Sequence, residues 1–280
     1  MKANYLTKYV CFALALVLLL GCLSGCADKG PQPKVPQLTE AESVTDDRTW
    51  GNKAVDAFAQ YSGLSPDVYP ESLRVLMEMN PEAAGFVLRY PYEYDKTHEI
   101  DLSSYADSET VPLFMQWDVR WGYMTYGSDM AAITACGPLC LSMVAYHLTG
   151  DENMSPDKII QFAIDEGYCT KGKGTSWTLI SKGAKKLGLN VKELPLSEGV
   201  IRRELDKGNP VICVMGPGVF TTTGHYIVLT GYADGKFSVN DPNSLDKSQK
   251  MWSYDEFQDQ VRNLWALSAP TPAQGDGSSE

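Results

Sequence analysis

The stretch Gly224-His225-Tyr226-Ile227-Val228-Leu229-Thr230-Gly231-Tyr232, then Ala233-Asp234-Gly235, then Lys236-Phe237-Ser238-Val239-Asn240-Asp241-Pro242, decides the fold. Both halves are rich in β-branched and aromatic residues, and the short connection carrying Asp-Gly is a hairpin signal. Strands joined this tightly must run antiparallel, since a parallel pair needs a crossover of about a dozen residues or more. Taking Ala233-Asp234-Gly235 as a three-residue loop with Gly235 left-handed pairs Tyr232 with Lys236 and Ile227 with Asp241. That register sets Asp241 diagonally across from His225 on one face, within side-chain reach, and turns Asn240 the other way.

Working outward, residues 210–215 read as a further strand, while the upstream periodicity is helical. Trp50, Val55, Phe58 and Ala59 mark one helix, and Leu73, Val75, Leu76 and Met79 a second. Asn80 as N-cap with Pro81 at the first helical position opens a third, through Leu88. Residues 111–116 are strand-like, 117–137 form a loop rich in Gly and Tyr, and 138–148 form an apolar helix ended by Gly150. Helices are also predicted over 156–164, 176–187 and 197–205, and a last one opens at Ser253 with Glu256 in a capping box. Helices first and hairpin-linked strands later define an α+β fold.

The same apolar helix carries the strongest chemical signal. In Ala135-Cys136-Gly137-Pro138 a cysteine stands just before its proline start, near unpaired amides and the positive end of the dipole, and both favour thiolate over thiol. Gly137 leaves room for a substrate backbone, and the amides there suit an oxyanion. A small buried cysteine that merely opens a helix would have the same local sequence. Of the three histidines, His147 lies late in a helix, where the dipole's negative end suits it, and His98 lies in a charged loop. His225 is the candidate base. Asp241 would fix its tautomer and leave the other ring nitrogen for a thiol proton, although an Asp before Pro is also a common turn former.

Composition bounds the rest. A chain of 280 residues, 44% hydrophobic and 21% charged, is globular and long enough for a sizeable core. Its net charge of −11 becomes −13 without residues 1–26, which hold Lys2 and Lys8 and no acid, so nucleic acid is not expected as a partner. Cys136, Cys140, Cys169 and Cys213 are too scattered for a disulfide framework, and Cys140 and Cys213 lie in apolar, core-like contexts. No second Cys/His pair accompanies Cys136 and Cys140, so neither a metal nor another cofactor is expected. Residues 167–174 imitate a phosphate-binding loop, but Gly174 replaces the required Ser or Thr, so no nucleotide is expected.

At the amino end, Lys2 and Lys8 precede an apolar run over 9–20, too short to cross a ~30 Å hydrocarbon core and typical of a secretory signal. Leu23-Ser24-Gly25-Cys26 resembles a bacterial lipobox, which would make Cys26 the lipidated residue. Leu19-Leu20-Gly21-Cys22 is a competing site of poorer form. The expected organisation is a signal peptide over 1–26, a disordered tether over 27–45, a helical segment over 46–108, the main domain over 109–267, and a disordered tail over 268–280. The expected location is outside the cytoplasm, on the membrane through a lipid.

Gln116-Trp117-Asp118-Val119-Arg120-Trp121-Gly122, Cys136-Gly137-Pro138, Gly224-His225-Tyr226 and Asn240-Asp241-Pro242, in that order, resemble the papain-fold bacteriocin-processing cysteine peptidases, family C39. The likeness spans 111–267 and is nearest to stand-alone C39-like relatives without a transporter; Ala135 and Leu139 depart mildly from the pattern. The resemblance implies a papain-like fold and peptide or protein substrates. It makes Cys136 the nucleophile forming a thioester acyl-enzyme, His225 the base and then acid, and Asp241 the residue orienting the imidazole. Gln116 and the Cys136 amide become the oxyanion donors. Gly137, Gly224 and Trp117 are the candidate substrate contacts, with the aromatic loop of Trp117, Trp121, Tyr123 and Tyr126 divided between core and groove. A binding module that keeps the groove without cleaving is the alternative.

Overall fold

Strands Asn190–Glu193 (β1), Val211–Met215 (β2), His225–Ala233 (β3), Lys236–Asn240 (β4), Met251–Trp252 (β5) and Val261–Ser268 (β6) form one antiparallel sheet in the computed structural model. Their spatial order is β1-β6-β2-β3-β4-β5. The structure describes residues 48–106, 108–170, 172 and 174–270. The chain divides into two units, Met1–Trp50 and Gly51–Glu280, and the sheet and its helices belong to the second. The expected signal peptide, the lipidation site at Cys26 and the tether lie outside the described residues, as does nearly all of the tail.

Central β2 is buried at all five positions, which explains its unbroken apolar sequence: both faces of the sheet are covered. One face presents Ile212, Val214, Tyr226, Val228, Trp265 and Leu267 to helix Cys136–Thr149 (α4), which is buried from Gly137 through Tyr146. A helix apolar all round must be a core helix. It is pinned by Ser142 Oγ donating to Met154 O (2.6 Å) and Tyr146 Oη donating to Leu102 O (2.9 Å), and it ends at left-handed Gly150. The other face carries Cys213, Ile227, Leu229, Phe237 and Val239, closed in part by Ile201 of helix Glu198–Leu205 (α6). Helix Pro156–Asp165 (α5) packs on α4.

Helices Trp50–Tyr61 (α1), Glu71–Met79 (α2) and Ala84–Glu93 (α3) share a cluster built on Val55, Leu73, Phe86 and Val87, with Trp117, Val119 and Tyr123 of the following loop packed against it. From Gly51 onward this helical segment and the sheet belong to the same compact unit. Asn80 caps as predicted, its Oδ1 accepting from Glu82 N (3.2 Å), but the first turn, Pro81–Ala83, is a 3₁₀ helix.

The hairpin differs from its expected form in a way that matters. Its loop has two residues, with Asp234 (φ 51°) and Gly235 (φ 77°) both left-handed, so Ala233 pairs with Lys236. A bulge at Thr230 then absorbs one residue of β3, and Val228 pairs with Asn240. Carried one residue further, that offset sets Ile227 opposite Asp241, the register expected from a longer loop. Residues 111–116 are extended but join no sheet; instead Asn240 Nδ2 donates to the carbonyls of Val111 and Pro112 (3.0 Å each). Strand β6 has no clear sequence signature because Arg262 and Asn263 interrupt its alternation where a bulge falls. Strand β1 has none because its residues are polar and largely exposed. Within 176–187 the backbone makes a π-helical turn, Leu179–Gly183, before a short α turn, Ala184–Lys186.

Glu204 of α6 is buried, and Lys192 of β1 (2.7 Å), with Asn209 and Lys207, holds its carboxyl down to about 2 against the burial that would raise it. Because the folded value lies below the unfolded one, the cluster's stabilisation is complete above pH 4.5 and is lost as pH falls toward 2. Glu204→Gln should therefore flatten the dependence of melting temperature on pH across that window; an unaltered slope would place the acid sensitivity elsewhere.

Candidate active site

Cys136 is the first residue of α4, not the residue before it, and Leu139 N to Ala135 O (3.0 Å) is the first turn's hydrogen bond. The amides of Cys136 and Gly137 thus precede the helical ladder. A Cβ at Gly137 would stand 2.7 Å from Thr175 Cγ2. That space is filled by Thr175, on the ribbon pairing Cys169–Thr170 with Gly174–Thr175. Thr175 is itself fixed, by Tyr126 Oη at its hydroxyl (2.9 Å) and by Tyr226 Oη donating to its carbonyl (3.1 Å).

His225 opens β3 and Asp241 follows β4, so both stand at one end of the sheet. Imidazole Nε2 lies 2.6 Å from Asp241 Oδ1, with the histidine 8% exposed and the aspartate 0%. With Nε2 engaged, Nδ1 is the ring nitrogen left over, and Cys136 is among the groups close enough to the imidazole to favour its charged form. Burial alone would disfavour a charged imidazole. The Asp241 charge, the hydrogen bond to it and the Cys136 sulfur outweigh that burial and hold the His225 pKa well above its ordinary value. Asp241 Oδ1 also accepts from Asn243 N (2.9 Å), and the Asp241 amide donates to Ser248 Oγ (2.9 Å). Asp241 Oδ2 is buried without a hydrogen bond, and Lys247 Nζ stands 3.9 Å from it. Asn240, facing the other way, is occupied with the 111–112 backbone.

Gln116 is 2% exposed and its Oε1 has no hydrogen-bond partner. Its backbone amide donates to Pro242 O (2.6 Å), which holds residue 116 beside the Asp241 turn. The unsatisfied Oε1 is an acceptor and would repel an oxyanion; the group able to meet a substrate oxygen is the side-chain Nε2, a donor. Trp117 packs toward the helical segment and its Nε1 donates to Asn243 O (3.4 Å), so it braces the Asp241 turn from outside. Trp121 and Tyr126 are core residues, and Tyr123 stacks on Phe86 at 4.1 Å. The aromatic loop is thus mostly anchor. Gly224 is exposed, with only Met215 O, at 3.9 Å, near a Cβ placed there, so the space beside His225 is open.

The remaining candidates fall away from this cluster. Cys140 and Cys213 are fully buried, and burial pushes both thiols up. His147 does not serve the helix dipole as a cation, because burial lowers its pKa and favours the neutral ring. His98 lies 3.5 Å from Glu93. The supporting residues Thr175, Lys247 and Ser248 carry no sequence signal of their own.

A cysteine at the start of a core helix, meeting a histidine and an aspartate from an antiparallel sheet, is the arrangement of the papain-like cysteine peptidases. The model of the peptidase C39 like family matches residues 108–270, and the chain belongs to that family of cysteine peptidases. Among solved structures, the peptidase domain of Streptococcus ComA, a bifunctional ABC transporter involved in a quorum-sensing pathway, is 25% identical. That similarity covers 57% of this chain and 99% of that one, with a TM-score of 0.40. A C39-like peptidase of Bacillus anthracis is 13% identical over 57% of this chain and 96% of that one (TM-score 0.38). The Streptococcus mutans ComA peptidase domain is 20% identical over 52% and 99% (TM-score 0.34). A comparison with curated proteins finds no match.

Gly137→Ala should lower stability by about 1–3 kcal/mol through overpacking. Thr175→Ser, which removes the nearest clashing methyl, should restore part of that in the double variant. Thermal or urea melts decide it, and a Gly137→Ala melt equal to wild type would sink the close-approach argument.

Proposed function

We propose that this C39-like peptidase cleaves peptide bonds outside the cytoplasm through a Cys136–His225–Asp241 triad, held at the membrane by a lipid on Cys26. The single observation carrying the catalytic part is the buried 2.6 Å contact between His225 Nε2 and Asp241 Oδ1. Cys136 Sγ attacks the scissile carbonyl, forming a C–S bond as the carbonyl electrons move to oxygen. The oxyanion is met by the Gln116 amide and the Cys136 N–H. Collapse breaks the C–N bond while His225 gives its proton to the departing amine, leaving a thioester. Water then attacks as His225 takes its proton, and C–S cleavage returns the thiolate and releases the carboxylic acid product. Asp241 holds the ring orientation and offsets the imidazolium charge throughout. The lipidation reading rests on Leu23-Ser24-Gly25-Cys26 and the short apolar run before it.

Because Asp241 holds the His225 proton through neutrality, iodoacetamide should alkylate Cys136 faster at neutral and mildly acid pH than it does in His225→Ala. Reaction only above about pH 8 in both proteins would leave the binding-module reading standing instead. In a peptide library followed by mass spectrometry, Cys136→Ala should abolish cleavage. Asp241→Asn should fold normally yet lose about 10²–10⁴-fold in turnover; unchanged turnover would remove Asp241 from the mechanism. Metabolic labelling with a fatty-acid analogue should be lost in Cys26→Ala and kept in Cys22→Ala.

A further inference from the structure

Asn80 and Glu82 lie in the helical segment, outside the residues matched by the family model, yet both reach the turn that carries Asp241. Asn80, itself buried, donates through Nδ2 to Asn243 O (2.6 Å) and to Asn243 Oδ1 (3.0 Å). Glu82 takes three donors. Ser244 Oγ gives to Oε1 (2.7 Å), and the Leu245 and Asp246 amides give to Oε2 (2.6 and 3.3 Å). These are the cap and leading amides of the short helix Leu245–Ser248, so a carboxylate from a distant part of the chain adds negative charge at its first turn.

That helix connects the far end of the contact to the site. Ser248 Oγ accepts the Asp241 amide (2.9 Å) and donates to Ser244 O (2.8 Å). Lys247 donates to Phe220 O (3.1 Å), in the loop leading to His225, while standing 3.9 Å from Asp241 Oδ2. With no hydrogen bond on Oδ2, the orientation of the carboxylate depends on Oδ1 and on where this turn holds its backbone.

We propose that Glu82 is a positioning residue for the His225–Asp241 pair: by capping the Leu245–Ser248 turn it sets the Asp241 carboxylate against the imidazole, making the helical segment a working part of the peptidase. This rests on the triad reading, and the test separates the two. In the purified full chain, the alkylation rate of Cys136 by iodoacetamide is followed on its tryptic peptide from pH 5 to 9, alongside the downfield proton NMR signal of the His225 Nε2–H. Glu82→Ala should slow alkylation at pH 6 on the order of tenfold, leave it unchanged at pH 9, and add nothing further in an Asp241→Asn background. The Nε2–H resonance should move upfield or broaden. A lower melting temperature with the pH profile and resonance of wild type, or losses that add to those of Asp241→Asn, would reduce Glu82 to a structural cap and overturn the proposal. Should Glu82→Ala not fold, Glu82→Gln, of the same shape but with a donor facing donors, carries the same comparison. A wild-type chain without acid-side alkylation would defeat the triad reading alone. The Nε2–H resonance would then decide the positioning claim, upheld by its displacement in the variant and overturned by its persistence.

Discussion

The hydrogen bond between His225 Nε2 and Asp241 Oδ1 is the constraint around which the rest is arranged. A carboxylate with no solvent exposure has given up its hydration and must be met by donors and positive charge, or the fold bears the full cost of that desolvation. Its donors are an imidazole and the Asn243 amide, with the Lys247 ammonium close by. In a low-dielectric setting such a group stabilises charge strongly if the geometry holds and destabilises the fold if it does not. The elements bearing on it are correspondingly many, and they come from three distant parts of the chain.

The sheet supplies the first. Its two-residue turn alone would leave the far end of the hairpin one position out of register, and a one-residue slip reverses every side chain between faces. The bulge at Thr230 cancels that offset before the chain reaches His225. Helix α4 supplies the second, its apolar body filling one face of the sheet and its first residue, Cys136, helping to favour the charged imidazole. Thr175, seated where a Cβ of residue 137 would be, fixes how closely the ribbon approaches that helix start. The third is the helical segment, which shares a core with Trp117 and Tyr123 and grips the turn after Asp241 through Asn80 and Glu82.

Legibility followed the range of the interactions. The apolar helix with Cys136 near its start and the parity that turns Asp241 toward His225 and Asn240 away were readable, although the helix begins two residues earlier than read and the register holds because a bulge offsets a shorter turn. The packing of Gly137 and Trp117 was not legible: each meets a residue remote in sequence, Thr175 and Asn243. Nothing near Gly137 in the chain announces a threonine from a separate ribbon. Strand β6 was missed for a related reason: it is recognisable only beside β1 and β2, which supply the pairing that its interrupted alternation obscures.

What the sequence by itself determined is the kind of chemistry and its local supports: a cysteine opening an apolar core helix, a histidine and an aspartate on facing strands, and a buried strand to hold them. Those follow from backbone periodicity and capping, which act over a few residues. Only the tertiary structure decided which nitrogen of His225 meets Asp241, what occupies the space at Gly137, and that Glu82 caps a turn far along the chain. Those outcomes depend on which buried polar groups find partners, and such partners are chosen by packing across the whole core and not by neighbours in sequence.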